Sequence, residues 1–177
     1  MPCTKIYGLY ADSKPAVKAT LEERLAMEIL ERLPGVGIEY EMEPGSLTRF
    51  KVLGKETGGA FEVYERELPA HTIGADPHYH RSTEEFFYIV AGSATILMDR
   101  ERKVYPAGST IVVPRMTVHG YWNESDERIK LLVAFCPAHD FDEYFRVLSE
   151  LKHGPKETYA ENLAALRARF DAASVNV

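Results

Sequence analysis

The sequence predicts a mainly β domain, a sandwich or barrel of short antiparallel strands with helices at both ends of the chain. Residues 46–138 contain short runs rich in β-branched and aromatic residues, separated by Gly, Pro, Asp and Asn. Such runs joined by turns are typical of antiparallel sandwiches and barrels. Residues 1–45 and 139–177 instead carry apolar residues at helical spacing. We therefore expect an N-terminal arm, a β-barrel and a C-terminal helical tail.

The predicted strands share a simple pattern: each is a hydrophobic run that ends at a turn-forming residue. They comprise residues 60–68, 84–92, 93–99, 109–114 and 129–135. The second run ends at Gly92, and the third begins directly after it. The "DRER" at residues 99–102 is a predicted hairpin tip, because it separates "ATILM" from "KVYPAG".

The arm contains one predicted amphipathic helix, residues 15–33. Its apolar stripe recurs every four residues at Leu21, Leu25, Ile29 and Leu33, and charged residues fill the other face. We expect this helix to pack on the barrel or on a second subunit. A homodimer is the expected assembly, because the helix and the edge of the first strand offer surface that another chain can cover.

The tail contains two predicted helices, residues 140–151 and 156–170. Asp140 is placed to act as the N-cap of the first helix. The apolar stripes comprise Phe141, Tyr144, Phe145 and Leu148 in the first helix and Tyr159, Leu163, Leu166 and Phe170 in the second.

Composition narrows the class of protein. The chain has 177 residues, 45% of them hydrophobic, and a formal net charge of -6, which suits one domain with its own core. The acidic balance argues against partners such as nucleic acid or an acidic membrane surface. Cys3 and Cys136 are the only cysteines, too few for a disulfide framework. Without a signal-like or membrane-spanning apolar run, we expect a cytoplasmic protein that acts on a small molecule.

A cluster of metal-binding residue types stands out in the central region. His78 and His80 share a face if their segment is extended, since successive side chains of a strand alternate. Glu84 and Glu85 follow at the start of a hydrophobic strand, and His119 follows the strand "TIVV" and a proline-containing turn. Two strands of one barrel can bring these groups together. Three imidazoles and a carboxylate suit a divalent first-row transition metal.

Two stretches of the sequence resemble the two sequence motifs of the cupin superfamily. In the first motif, His78, His80, Glu85 and Gly92 match from the first histidine onward. Only three residues lie between Gly74 and His78, fewer than follow the opening glycine of the motif, so that loop is expected to be built differently. Two motifs in one chain are far more specific than either motif alone.

The second motif has one substitution. Gly108, Pro114, His119 and Asn123 occur at the motif's intervals, but Met116 stands where the motif has glycine. Glycine is favoured where the backbone needs a positive φ, so Met116 predicts either a different turn or local strain.

The resemblance implies a single cupin barrel, a jelly roll also described as a double-stranded β-helix, with one divalent transition metal ion. The implied ligands are His78, His80, Glu85 and His119, and the ion would be iron, nickel, manganese, cobalt, copper or zinc. Only Glu85 fits both intervals of the first motif, so Glu84 is expected at the solvated rim.

Strand alternation extends the predicted site beyond the ligands. Phe87 falls on the same face as Glu85, and Tyr121 on the same face as His119, so both are expected to shape the substrate pocket. An ordinary core position is the alternative for Tyr121.

The cupin fold does not fix a reaction, and the function that we predict for the implied site is a metal-dependent dioxygenase, an oxidoreductase acting on a small aromatic, enolic or diketone metabolite. Glu85 is the candidate catalytic base. A helical tail after the last strand is similar to that of single-domain quercetinase-like cupins. One alternative is a non-oxidative isomerase, lyase or polyketide-type cyclase that uses the metal as a Lewis acid. The other is a small-molecule-binding module without catalysis.

Overall fold

The computed structural model describes residues 29–175, and within them the chain forms two β-sheets and two C-terminal helices. The strands, β1 to β11, comprise Ile38–Glu43, Ser46–Val52, Glu62–Leu68, Thr72–His80, Glu84–Ala91, Ser93–Met98, Glu101–Pro106, Thr110–Val113, His119–Asn123, Ile129–Cys136 and Ala172–Ser174. The helices comprise Phe141–His153 (α1) and Tyr159–Arg169 (α2), and a short 3-10 helix spans Gly54–Thr57. No helix among the described residues is long and apolar enough to cross a membrane.

The strands pair in the order expected of a jelly roll. One sheet has the order β1-β2-β3-β10-β5-β8 and the other the order β11-β4-β9-β6-β7. Every recorded strand pair is antiparallel, and most neighbours in a sheet are distant in sequence. The predicted mainly β fold, a cupin-type jelly roll with C-terminal helices, is therefore confirmed.

The core lies between the sheets because the strands alternate buried and outward side chains. In β3 every second residue from Glu62 to Leu68 is buried, and in β10 the buried residues are Ile129, Leu131, Val133 and Phe135. Burying one such aliphatic or aromatic side chain stabilises a fold by about 1.5–3 kcal/mol. The same alternation sends polar residues of β4 and β5 inward, and together with His119 of β9 these residues build the site.

The sheets extend further along the chain than the predicted strands. β1 lies inside the predicted N-terminal arm, yet it pairs with β2 in the larger sheet. The predicted hairpin tip is tighter than residues 99–102, because Met98 pairs directly with Glu101. Its two-residue turn begins at Asp99, whose φ of 53° suits the tight turns that join antiparallel strands.

The predicted N-terminal helix lies mostly outside the described residues, and its last part, residues 29–33, is not helical. Pro34 disfavours the helical conformation of the residue before it. Arg32 instead donates hydrogen bonds to the carbonyl of Lys51 (2.7 Å) and to the carboxylate of Glu56 (2.6 Å). The prediction of helix up to Leu33 was therefore wrong.

Both predicted tail helices are present, but α1 begins differently from the expectation. Asp140 occupies the N-cap position with φ 55°, and its side chain makes no capping hydrogen bond. The buried carboxylate of Glu62, on β3, accepts the backbone N–H groups of His139 (3.1 Å) and Phe141 (3.2 Å) instead. After α2, β11 adds the tail to the smaller sheet, where Ala172 pairs with His80.

Candidate metal centre

The four motif residues converge on one point between the sheets. His78 and His80 lie at the end of β4, Glu85 at the start of β5, and His119 at the start of β9, where it pairs with His78. One ligand atom from each residue lies within 4.8 Å of the others, and all four side chains are buried. The structure thus forms a group that could hold a metal ion. The role of each residue as a ligand stays a prediction.

The three imidazoles are oriented by backbone carbonyls. Each Nδ1 contacts a carbonyl oxygen, which can only accept, so Nδ1 carries the proton and leaves Nε2 as the lone-pair donor. The acceptors are the carbonyl oxygens of Asp76 for His78 (2.8 Å), of Thr117 for His119 (2.9 Å) and of Asp171 for His80 (3.0 Å). Bonds of this kind fix the ring orientation of histidine ligands.

Glu85 forms the electrostatic centre of the group. Its Oε2 lies 2.6 Å from Nε2 of His119 and 3.5 Å from Nε2 of His80. Burial alone would raise the pKa of Glu85, but the two imidazoles outweigh it and hold the pKa well below its usual range. Burial likewise opposes the charged form of His119, yet the carboxylate raises the pKa of that imidazole.

Two further observations indicate that these four residues suit a metal ion. Nε2 of His80 is buried and has no hydrogen-bond partner, which a protein interior seldom tolerates. Burial, and then the neighbouring His119 and His80, hold the pKa of His78 well below its usual value, so that imidazole is neutral, as a ligand must be. A donor set of three imidazoles and one carboxylate admits iron, nickel, manganese, cobalt, copper and zinc.

A cavity of about 70 Å³ connects the group to the C-terminal helices, and His78, His80 and Glu85 form part of its lining. Among the predicted pocket residues, Tyr121 lines this cavity and Phe87 does not. Phe87 is fully buried in the core, where its ring meets that of Tyr121 at 5.4 Å. Phe87 therefore supports Tyr121 rather than facing the cavity, because alternation fixes the sheet face of a side chain but not its depth in the core.

The tail supplies walls that the motifs do not announce. The lining residues from α1 and α2 include Phe141, Tyr144, Phe145, Leu163 and Arg167. The ring of Phe141 stacks on that of Phe135 at 4.0 Å and meets the imidazole of His80 edge-on at 5.3 Å. The amphipathic stripe of α1 predicted a buried face, but nothing local in the sequence said that this face covers a metal group.

Gly74 has a function that the motif spacing obscured. It lies within β4, and a Cβ at this position would overlap the ring of Tyr121. Glycine is used where another group must approach the backbone closely. The displaced motif glycine therefore makes room for the tyrosine that lines the cavity.

The neighbouring motif positions have structural roles. Glu84 forms a surface ion pair with Arg115 at 2.6 Å, as a rim carboxylate should. The side-chain amide of Asn123 donates to the carbonyls of Pro69 and Glu127, both at 2.7 Å, and so joins the connection between β3 and β4 to the turn after β9. Met116 keeps the left-handed conformation of the glycine that it replaces, with φ 67°, so the expected local strain is present and the turn type is not changed.

Comparison with known protein sequences agrees with the predicted family. Residues 64–135 match the family model of the cupin domain. A quercetin 2,3-dioxygenase of Bacillus subtilis (strain 168) is 30% identical over 152 residues, which cover 81% of this chain and 42% of that enzyme. The chain therefore spans less than half the length of this curated relative.

Solved structures share the fold. KdgF from Halomonas sp. superposes with a TM-score of 0.54 at 18% identity, covering 61% of this chain and 93% of that one. An RmlC-like cupin from Shewanella frigidimarina NCIMB 400 superposes with a TM-score of 0.52 at 19% identity, covering 60% and 89%. At this level of identity the likeness concerns the fold alone.

Proposed function

We propose that this chain, a member of the cupin superfamily, is a metal-dependent dioxygenase that acts on a small aromatic, enolic or diketone metabolite. The observation that carries the proposal is the buried group of three histidines and Glu85 beside a cavity walled by aromatic side chains. The similarity to a quercetin 2,3-dioxygenase over 81% of the chain favours oxygenase chemistry over other uses of such a group.

The residues of the chain have separable tasks in this proposal. His78, His80, Glu85 and His119 would hold a divalent metal, which supplies Lewis-acid and redox chemistry when bound. The carboxylate of Glu85 is ionised, as a metal ligand must be, because its pKa is held low. Glu85 is also the candidate acceptor for the proton of an enol or a phenol, on the ground of its position in the cavity lining. Tyr121 and the aromatic residues of α1 surround the substrate and exclude water.

The size of the cavity supports a small substrate. Its volume is about 70 Å³ with α1 and α2 in place. An engineered cavity of about 150 Å³ in another protein accepts one benzene ring. A molecule with no more than one ring therefore suits this site, with a modest outward movement of side chains, better than a molecule with several fused or linked rings.

The first test is the metal content of the protein purified without chelators, beside a His119→Ala variant and a His71→Ala control. His71 is an exposed histidine that contacts Asp126, so its loss should change nothing. We expect near-stoichiometric metal in the native protein and in the control, and at least about a tenfold loss of metal affinity in His119→Ala. Full metal content in a folded His119→Ala protein would contradict the ligand assignment.

The second test is oxygen uptake by the metal-loaded protein with phenolic, enolic and diketone compounds. We expect oxygen consumption that depends on one of these compounds, with both oxygen atoms of labelled dioxygen found in the product, and no consumption by His119→Ala. Turnover that proceeds equally well without oxygen would replace the dioxygenase by an isomerase, lyase or cyclase. Tight binding without any turnover would leave a binding module.

A further inference from the structure

We propose that the substrate carries a carboxylate and that Arg167, on α2, binds this carboxylate in the cavity. The inference takes from the proposed function only the assumption that the metal holds the other end of the substrate. It adds a chemical class, a single-ring phenol or enol acid, and a second anchor outside the cupin motifs.

Arg167 is a buried cation without an anionic partner. Arg167 is only 8% exposed, and it lines the same cavity as the metal group. Its guanidinium donates to the hydroxyl of Ser174 (2.5 Å) and to the hydroxyl of Tyr144. Its Nε is buried and has no hydrogen-bond partner. No carboxylate among residues 29–175 forms an ion pair with Arg167.

Such an arrangement is costly unless something compensates it. A buried charge is normally paired and hydrogen-bonded, because it loses the solvation that water provides. Two neutral hydroxyls satisfy part of the guanidinium but do not balance its charge. A carboxylate that enters the cavity can do so, and the planar fork of arginine matches the two oxygens of a carboxylate.

The other charged groups that line the cavity do not replace Arg167. Lys152 is already paired with Glu43 at 2.7 Å. Asp76 lines the cavity and acts electrostatically on Tyr144, but it is exposed and forms no ion pair with Arg167. Glu85 belongs to the metal group. Among the described lining residues, Arg167 is thus the cation left to meet a substrate anion.

A second buried arginine serves as an internal comparison. Arg66, on β3, is 2% exposed and donates to the hydroxyl of Thr48 at 2.8 Å. It also hydrogen-bonds the hydroxyl of Tyr121. Arg66 is not among the residues that line the cavity, so it reaches the substrate only through Tyr121. The anion-binding role is therefore assigned to Arg167.

The sequence carries a trace of this role. Leu163, Leu166, Arg167 and Phe170 follow the i, i+3, i+4, i+7 spacing of one helix face. The last three are buried. An arginine at a core-facing position is unusual, because long charged side chains are almost never fully buried unless paired. Its place in the apolar stripe is the feature that singles it out.

The test measures binding rather than turnover. The zinc-loaded protein is titrated by calorimetry with 3,4-dihydroxybenzoate and with 3,4-dihydroxybenzamide. The two probes share a catechol for the metal and differ in the carboxylate. We expect the acid to bind at least about tenfold more tightly than the amide, as for other charge-assisted hydrogen bonds. Equal binding of the two probes would overturn the inference.

Four variants locate the preference for the acid. Arg167→Gln should abolish it and Arg167→Lys should keep part of it. Arg169→Gln is the matched control, because Arg169 is exposed on the same helix, and it should keep all of it. A double variant, Tyr144→Phe with Ser174→Ala, removes the two hydroxyl partners but keeps the cation, and should also keep the preference.

Three outcomes would overturn the assignment. The preference for the acid could be retained in Arg167→Gln, it could be lost in Arg169→Gln, or it could be lost in the double variant, which would make Arg167 a structural residue.

Thermal unfolding of each variant shows whether it folds. If Arg167→Gln does not fold, Arg167→Lys decides, since a complete loss of the preference in that variant contradicts the inference. Zinc is redox-inert, so a failure of the dioxygenase proposal leaves these results unchanged. Conversely, oxygen uptake with neutral enols would uphold the proposed function even if the acid showed no advantage.

Discussion

Two parts of the molecule hold the same metal group by different means. His78 and His119 are oriented by carbonyls of residues only two positions earlier in the chain. His80 is oriented by the carbonyl of Asp171, which lies 91 residues later. The first arrangement is local to the barrel strands. The second depends on the tail returning across α1 and α2 to pair with β4.

This difference teaches that the barrel and the tail contribute separately to the site. The barrel supplies the four predicted ligands, and their spacing is visible in the sequence. The tail supplies the carbonyl that orients one of them, the aromatic walls and the buried Arg167. A change in the tail should therefore weaken the site without removing a ligand, and the predictions below separate the two contributions.

The largest effect is expected from deleting residues 171–177. The deletion removes the carbonyl that orients His80 and the strand β11, but it leaves all four predicted ligands in the barrel. Loss of a group that orients a metal ligand typically costs about 10–100-fold in metal affinity. We expect a loss of this size, measured by competition with a chelator.

Deletion of residues 176–177 alone is the control for this experiment and should bind metal normally. Circular dichroism should show that the strands persist in the longer deletion. An unchanged metal affinity in that protein would mean that the barrel alone orients His80, and the contrast between the two kinds of histidine would disappear.

The same contrast explains how much the sequence could predict. The four residues of the metal group could be predicted from motif spacing, because they lie near two short loops, one between β4 and β5 and the other between β8 and β9. The strands β3, β5, β6, β8 and β10 follow from runs of apolar residues. By contrast, β1 and β2 carry charged residues at several positions and showed no comparable run. Their strand structure comes from pairing within the sheet, which tertiary context decides.

The tail shows a second kind of limit. Its helices were predictable from their spacing, but the surface that they cover was not. The backbone contact of Asp171 with His80 leaves no side-chain signature, because any residue has a carbonyl. The predicted stripe of α2 did not include Arg167, although it lies at the same spacing, and only the fold places it in the cavity of the metal group.

A second effect, on stability rather than on metal affinity, is expected at the junction of barrel and tail, where Glu62 accepts the N–H groups at the start of α1. Burial raises the pKa of Glu62 from 4.5 to about 7, against the opposing effect of the bonds from His139 and Phe141. The folded protein therefore binds a proton more tightly here than the unfolded chain does. The resulting stability is fully present below pH 4.5 and is lost as the pH rises to about 7.

Glu62→Gln should remove this pH dependence, since the amide oxygen can still accept both N–H groups. As the pH rises from 4.5 to 7, the free energy of unfolding of the native protein should fall relative to that of the variant, by roughly 3 kcal/mol at most. Denaturant titrations of both proteins at several pH values measure this difference. Both proteins contain the same metal group, so the titration of that group cancels in the difference. A difference that does not change with pH would show that Glu62 is ionised throughout.

The smallest effect is expected at Met116, which contacts the backbone of His80 from the barrel side. Its N–H donates to the carbonyl of His80 at 2.7 Å, and its side chain is 61% exposed, so little packing offsets its positive φ of 67°. A left-handed conformation costs a non-glycine residue about 1–2 kcal/mol, part of which glycine loses again through the entropy of the unfolded chain. Met116→Gly should therefore raise the free energy of unfolding by about 0.5–1 kcal/mol, whereas Met116→Ala, which keeps a Cβ, should change it little.

Equal effects of the two substitutions in denaturant titration would place the cost in the methionine side chain rather than in the backbone. A stabilised Met116→Gly protein with unchanged metal affinity would show that the strained backbone of this turn is not needed to hold His80 at the metal group, because the variant keeps the hydrogen bond to the carbonyl of His80.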